Sequence, residues 1–342
     1  MAEPIALLIG ILYKNTENEL YGCQNDVLKF RDILINNYGY KSDKITMLIE
    51  KDGFELPTAG NIIKHLNTIV SLSNQNLTKD IVLYYSGHGT RIVDRSGDEP
   101  DRYDECIVPI DFATSGIITD DTIYTYLSNI KINTGNKMIC VFDSCNSASC
   151  SDLPLSYNCV GNRIVKSIQS RRPNLNKQIY FISGCADNNY SYDVAEPDGT
   201  PCGLLSYSLR KSLEQNKYNC SIQTLLLSMT RVIKTAKLHQ VPVISCGLNN
   251  SVPNTNVFSI LKKSNASKIN KSIVQRNRQI ALRNRQISLR KRQIAQQNKQ
   301  IVKNNKQVVK QANGDNINNI IDAIDYIIRK FIDRIKEIKF VA

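Results

Sequence analysis

The chain of 342 residues has no tryptophan, only three histidines, and no uninterrupted apolar run long enough for a membrane-spanning helix, which needs about 18–20 apolar residues. No transmembrane segment is therefore expected. Its ten cysteines include no C-x-x-C pair and no regular spacing, which argues against a zinc ribbon or a disulfide framework. The opening Met1-Ala2-Glu3-Pro4 has no basic n-region or cleavage site and runs straight into the apolar stretch Ile5 to Leu12, so no secretory signal is expected. These absences together predict reduced thiols and a cytoplasmic location. Acidic residues are missing from one long stretch, with none between Glu214 and Asp315. The net charge of +13 is therefore uneven. From Lys262 onward there are 20 basic and 5 acidic residues, +15, leaving 24 basic against 26 acidic, −2, for everything before. Any inference from basicity belongs to the tail alone.

What is present up to about Leu261 is an alternation of short apolar runs and amphipathic stretches. Strands are expected at Ile5–Leu12, Ile45–Ile49, Asp80–Ser86, Lys137–Asp143, Gln178–Ser183 and Val241–Cys246. Helices are expected at Gln24–Tyr38, from Thr58 to about Leu72, at Gly203–Gln215 and at Ser221–Leu238. Six strands alternating with helices predict an α/β fold, a mostly parallel sheet covered on both faces. Thr90–Asp104 and Ser147–Lys177 read as long polar loops, a form that in compact domains usually carries function. In parallel sheets functional groups collect just past the carboxyl ends of the strands.

Two chemically capable residues fall there. His88 follows the run Ile81-Val82-Leu83-Tyr84-Tyr85, and Cys145 follows Met138-Ile139-Cys140-Val141-Phe142. If those strands pair, thiol and imidazole become neighbours. A cysteine peptidase needs that arrangement, because an imidazole supplies thiolate near neutral pH and returns a proton to the leaving amine. The backbone N–H groups of Gly89 and Cys145 are the candidate oxyanion donors. Taken singly, such a Cys is better read as an inert buried thiol and such a His as a turn residue; the two together, each ending an apolar strand, bring the readings level. His65, in mid-helix, reads as a surface or packing residue, and His239 as a helix-end group. Cys140 and Cys185 read as core.

Several ordered motifs resemble the metacaspases, a family of caspase-like peptidases. They are Leu7-Leu8-Ile9-Gly10-Ile11, Leu20-Tyr21-Gly22-Cys23-Gln24-Asn25-Asp26, Tyr84 to Thr90, Asp104-Glu105-Cys106-Ile107-Val108-Pro109 and Asp143-Ser144-Cys145. The resemblance covers roughly residues 5 to 260. It implies a caspase–haemoglobinase fold over residues 1–261 and a Cys–His dyad with no obligatory third member. One departure stands out: the family usually has His-Ser-Gly after the nucleophile, and here Asn146-Ser147-Ala148 follow Cys145.

Asp143 precedes Cys145 by two positions and shares its face on an extended strand end. Asp26, past the first strand, either complements a helix start or converges on the same cleft. Two carboxylates in one pocket favour a Lys or Arg side chain. The resemblance implies cleavage after Arg or Lys, with Asp26, Asp143, Ser86 and Cys23 lining the first pocket and proteins with such residues as substrates. No organic cofactor is expected. Carboxylates also gather at Asp94–Asp104, at Asp120-Asp121 and at Asp152. By composition they are either a solvated acidic loop with a helix cap or an oxygen cage for Ca2+. The resemblance implies Ca2+ bound by Asp120, Asp121 and Asp152, with Asp104 as a fourth ligand, or Asp101 or Asp98 in its place. The loop at about 156–177 carries Arg163, Lys166, Arg171, Arg172 and Lys177, each a candidate self-cleavage position in an Arg/Lys-cleaving enzyme.

Beyond Leu261 the pattern changes. Across residues 262–314, Ile273, Ile280, Ile287, Ile294, Ile301 and Val308 recur every seven positions. Asn277, Asn284, Asn298 and Asn305, with Lys291, stand three residues before their apolar partners. This predicts a basic helix with a polar-a heptad seam, suited to self-association; nucleic acid or an anionic membrane surface is the alternative partner. Residues 315–342 carry an isoleucine-rich stripe at helical spacing. Two readings of the whole chain follow: a Ca2+-stimulated, self-processing cysteine endopeptidase, or a weakly active caspase-like scaffold assembling through its tail.

Overall fold

The computed structural model describes residues 2–94, 97, 102–144, 150–161, 163–184, 193–236, 240–248, 256–259 and 326. The chain divides into two units, Met1–Lys263 and Ser264–Ala342. The heptad segment and, Tyr326 apart, the terminal stripe lie outside the described residues.

The first unit is built on an eight-stranded sheet. In chain order come β1 (Glu3–Gly10), α1 (Cys23–Tyr38), β2 (Ile45–Ile49), α2 (Ala59–Asn74) and β3 (Thr78–Ser86). Then follow β4 (Gly89–Val93), β5 (Tyr103–Ile107), α3 (Phe112–Ser115), β6 (Ile118–Thr119), α4 (Asp120–Asn129) and β7 (Met138–Asp143). The hairpin β8 (Leu155–Val160) and β9 (Arg163–Ile168) precedes β10 (Ile179–Ser183), β11 (Asp193–Ala195) and β12 (Pro201–Gly203). Last are α5 (Leu204–Gln215), α6 (Ile222–Thr235) and β13 (Val243–Cys246). The large sheet runs β2-β1-β3-β7-β10-β13-β8-β9. Its first five strands pair in parallel, and β13, β8 and β9 add antiparallel.

The parallel strands read as unbroken apolar runs because both faces are covered. On β3, Val82 and Tyr84 pack beneath α1, α5 and α6 with Phe30, Leu209 and Met229. Ile81, Leu83 and Tyr85 point the other way, toward Ile62 and Leu66 of α2 and Leu127 of α4. Strand β7 divides likewise, Ile139 and Val141 against Met138, Cys140 and Phe142, as a two-residue period requires. Fully burying one such side chain contributes about 1.5–3 kcal/mol. The helices start where the sequence offers caps: the hydroxyls of Thr58, Thr119 and Ser221 accept from the N–H of Asn61, Thr122 and Thr224. Gly39, at φ 76°, closes α1 in the left-handed conformation open to glycine.

The six expected strands form the contiguous block β2-β1-β3-β7-β10-β13. The two expected loops need correction. Thr90–Asp104 contributes β4 and the start of β5, which with β6 make a small antiparallel sheet. Ser147–Lys177 contributes β8 and β9. Strand β9 is the sheet's outer edge, exposed at five of its six residues, so no buried face imposes the alternation by which strands are recognised.

Candidate active site

Strand order reverses between β2-β1 and β3, placing the crevice at the carboxyl ends of β1, β3 and β7. The last matched pair of β3 and β7 is Ser86 with Asp143. His88 and Cys145 each follow that pair by two residues. Cys145, with Asn146-Ser147-Ala148, lies outside the described residues.

His88 is held from four directions. Its N–H donates to the Tyr13 hydroxyl at 3.0 Å, and its carbonyl accepts from the Tyr85 hydroxyl at 2.6 Å and the Val108 N–H at 3.3 Å. The Tyr13 ring packs on the imidazole with centroids 4.7 Å apart. The imidazole Nε2 lies 2.7 Å from the Asn18 carbonyl oxygen. A carbonyl only accepts, so Nε2 is the donor here, and in the neutral ring the lone pair belongs to Nδ1. The loop bearing Tyr13 and Asn18 is anchored in turn by Glu50, whose carboxylate accepts from the N–H groups of Leu12, Tyr13 and Lys14 at 2.6, 2.7 and 3.1 Å. Gly89, the expected oxyanion donor on this side, follows His88 in the chain and opens β4.

The eight described cysteines are free thiols and all are buried. Burial raises the Cys106 and Cys202 thiols to about 12 and the Cys220 and Cys246 thiols to about 11. Such thiols stay protonated at neutral pH and are poor nucleophiles. Cys140 is core, as expected; Cys185 and His239 lie outside the described residues. His65 sits on α2 with its Nε2 3.3 Å from Glu55 Oε1.

The four expected pocket residues, Cys23, Asp26, Ser86 and Asp143, are all buried. Ser86 pairs with Asp143 across β3 and β7, the turn from Gly203 to Ser206 joins the two carboxylates, and Cys23 opens α1 three residues before Asp26. Asp26 Oδ2 accepts from the Gly203 N–H at 2.9 Å and from the Ser86 hydroxyl at 3.5 Å. Asp143 Oδ2 accepts from both the N–H (2.9 Å) and the hydroxyl (2.6 Å) of Ser206. A Cβ on Gly203 would stand 2.1 Å from Asp143 Oδ2, so only glycine allows this approach. Arg210, one turn beyond Ser206, was not foreseen. Its Nη2 lies 3.5 Å from Asp26 Oδ1 and its Nη1 2.6 Å from Glu196 Oε1, and Lys29 Nζ reaches Glu196 Oε2 at 2.9 Å. Asp26 thus already faces one internal cation.

Of the expected metal ligands, Asp120, Asp121 and Asp152 converge, offering one oxygen each within 4.8 Å of one another. Asp104 is buried on β5 but is not a member of that group; Asp98 and Asp101 lie outside the described residues. The Arg172 guanidinium rests on the group, with Nη2 against Asp121 Oδ1 and Nε 3.1 Å from Asp152 Oδ2. Of the other self-cleavage candidates, Arg163 and Lys166 are paired into β9. Arg171 is exposed in the connection to β10, and Lys177 Nζ donates to the carbonyls of Leu127 and Ser128.

A profile of the metacaspase, peptidase C14 domain matches residues 5–154. Metacaspase-3 of Trypanosoma brucei brucei is 31 % identical over 275 residues, covering 75 % of each chain. The chain belongs to the metacaspase family. Metacaspase-1 of Schizosaccharomyces pombe is 32 % identical over 288 residues, 70 % of this chain and 66 % of its own. Metacaspase-1 of Plasmodium falciparum is 36 % identical over 231 residues, 64 % of this chain but only 36 % of its own, so the chain spans about a third of that relative's length. A solved structure from Geobacter sulfurreducens aligns at TM-score 0.51 with 22 % identity, over 76 % of this chain and all of that one. Caspase-1 of Spodoptera frugiperda aligns at TM-score 0.47 with 12 % identity, over 73 % and 88 %. The fold is the caspase–haemoglobinase fold that the metacaspase motifs imply, with the β8–β9 hairpin added to one edge of the expected six strands.

Three residues of this metacaspase site escaped sequence reasoning. Tyr13 and Asn18 sit in an unremarkable loop seventy or more positions before His88, which they meet directly, the loop being anchored at Tyr13 by Glu50. Arg210 left one trace: with Ser206 it forms an i, i+4 pair beside the apolar stripe Leu205, Leu209, Leu213, and so faces whatever Ser206 faces.

Proposed function

We propose that the chain is a cysteine endopeptidase cleaving after Arg or Lys, with Cys145 as nucleophile and His88 as its base. The observation that carries this is the His88 imidazole, oriented through Nε2 by Asn18 two residues past the strand pair that leads to Cys145. His88 Nδ1 takes the Cys145 thiol proton, the resulting thiolate attacks the scissile carbonyl, N–H donors at Gly89 and Cys145 receive the developing oxyanion, and His88 Nδ1 returns that proton to the leaving amine. Water then hydrolyses the thioester with His88 as base. Asp143, supported by Ser206, meets the substrate cation. Asp26 shapes the pocket wall while Arg210 balances its charge.

Ca2+ stimulation and self-processing belong to the same reading. Three carboxylates within 4.8 Å fit a hard divalent cation, so Asp120, Asp121 and Asp152 are the residues that would hold Ca2+. Bound there, it supplies charge neutralisation and order to the segment around Asp152, outside the bond-breaking steps.

The test is hydrolysis of peptides ending in Arg, Lys or Asp, with Ca2+ or a chelator, by wild type, Cys145→Ala and His88→Ala. We expect cleavage after Arg and Lys only, at least a thousandfold loss in both variants, and a Cys145→Ala chain that stays uncut where wild type is processed. Turnover of the Asp peptide with Arg and Lys peptides untouched would overturn the specificity. Activity surviving in Cys145→Ala would overturn the mechanism and leave the scaffold reading.

A further inference from the structure

We propose that Arg172 is the resident cation of the Asp120, Asp121, Asp152 group, and that a divalent cation binds there by displacing it. The inference rests on the calcium reading above and adds a competitor within the chain.

Three carboxylates this close repel one another unless a cation sits among them. The guanidinium of Arg172 does so now, touching Asp121 Oδ1 through Nη2 and Asp152 Oδ2 through Nε. It is pre-organised for the task. Its plane lies over the Tyr124 ring, 4.8 Å from the centroid, an attraction of cation for π face. The Tyr124 hydroxyl donates to the Pro173 carbonyl at 2.8 Å, and the Arg172 N–H donates to the Ser170 hydroxyl at 3.2 Å. Asp120 is held differently: its Oδ2 and Oδ1 accept from the backbone N–H groups of Glu105 and Asp121 at 2.6 and 2.8 Å. The group therefore has one member, Asp120, fixed by backbone donors and two, Asp121 and Asp152, held by the Arg172 side chain, Asp152 being as buried as Asp120.

Ca2+ gathers six to eight oxygens at about 2.3–2.6 Å. It would draw on the same Asp121 and Asp152 carboxylates that the guanidinium holds, and two cations sharing them repel. Binding one therefore means releasing the other, and the observed affinity is the intrinsic one reduced by the fraction of molecules whose Arg172 is away. Release also frees the chain at 170–173, just ahead of β10, so occupancy of the group is coupled to the connection that carries Arg171 and Arg172.

The experiment uses the full chain carrying Cys145→Ala, so that no self-cleavage intervenes. Arginine labelling with phenylglyoxal, read by mass spectrometry, follows Arg172 with and without Ca2+, the exposed Arg171 serving as internal reference. We expect Ca2+ to speed Arg172 labelling by at least about fivefold and to leave Arg171 unchanged. Calorimetric titration with Ca2+ should show Arg172→Gln binding about tenfold tighter than its parent, and Arg172→Lys close to the parent. Ca2+ binding to the parent with Arg172 still protected, or Arg172→Gln binding no tighter, overturns the displacement and leaves the calcium site standing. Absence of binding to both proteins overturns the calcium reading and this inference together. If Arg172→Gln fails to fold, labelling of the parent decides alone.

Discussion

The imidazole Nε2 of His88 meets the carbonyl oxygen of Asn18 at 2.7 Å, and this pairing decides which ring nitrogen is left to exchange protons. A main-chain oxygen does here what a carboxylate does in other sites. It cannot be removed by substitution, so the relationship is open to test only through the groups that place it.

Tyr13→Phe is the sharpest such test. The hydroxyl donates to the Val108 carbonyl at 2.6 Å and accepts from the His88 N–H. Its loss leaves the ring packing in place and the imidazole less firmly seated. We expect kcat to fall about tenfold, KM to stay within about twofold, and stability to drop by about 1–2 kcal/mol. Steady-state kinetics and urea unfolding read the two effects separately.

The two pocket carboxylates should respond differently to amidation. Asp143→Asn keeps an oxygen for the Ser206 donors but removes the charge, and KM for arginyl peptides should rise about a hundredfold with little change in stability. Asp26→Asn leaves the buried Arg210 with Glu196 as its one described carboxylate partner. We expect a loss of about 3 kcal/mol in urea unfolding, in the range for broken buried pairs.

How much of this was legible beforehand depends on what kind of signal each residue leaves. Val82, Val141 and Ile182 announce the sheet because strands buried on both faces must be apolar throughout. His88 and Asp143 stood out because polar chemistry at the end of such a run is conspicuous. Val165 and Ile168 on β9 misled because an edge strand facing solvent has no buried face to pattern. Asn18 was invisible, since its backbone oxygen is what matters and any residue carries one. Arg172 reads in the sequence as a self-cleavage candidate and Arg210 leaves no comparable signal, because their partners, Asp152 and Asp26, lie far off in the sequence and only tertiary structure pairs them.

Gly203→Ala should disable the pocket without a backbone penalty. The residue sits at φ −72°, open to any amino acid, so the whole effect comes from a methyl group driven against the Asp143 carboxylate. We expect at least a hundredfold loss in kcat/KM for arginyl peptides, checked against a near-native circular dichroism spectrum.

Acid should weaken the Lys29–Glu196–Arg210 chain. Burial pushes the Glu196 carboxyl upward, but Lys29 and Arg210 more than offset it and leave it below the usual glutamate value. A lowered folded-state value means stabilisation that is complete above the unfolded value of about 4.3 and lost as pH falls through the folded one. Glu196→Gln should therefore lower Tm at pH 7, by a margin that shrinks as pH falls below the unfolded value. A Tm deficit that persists unchanged at pH 3 would rule this origin out.

The residue after Arg172 is Pro173, whose carbonyl is already tied to Tyr124. The bond between them is a tertiary amide, with no N–H to offer and a ring that fixes φ near −65°. On the proposed Arg/Lys specificity, Arg172 presents the side chain sought, followed by a linkage without an N–H. On that reading the acidic cluster carries an arginine the protein is ill equipped to consume, while Arg171 immediately before it has an ordinary peptide bond. Repeated encounters between copies of the chain would spend the one and spare the other.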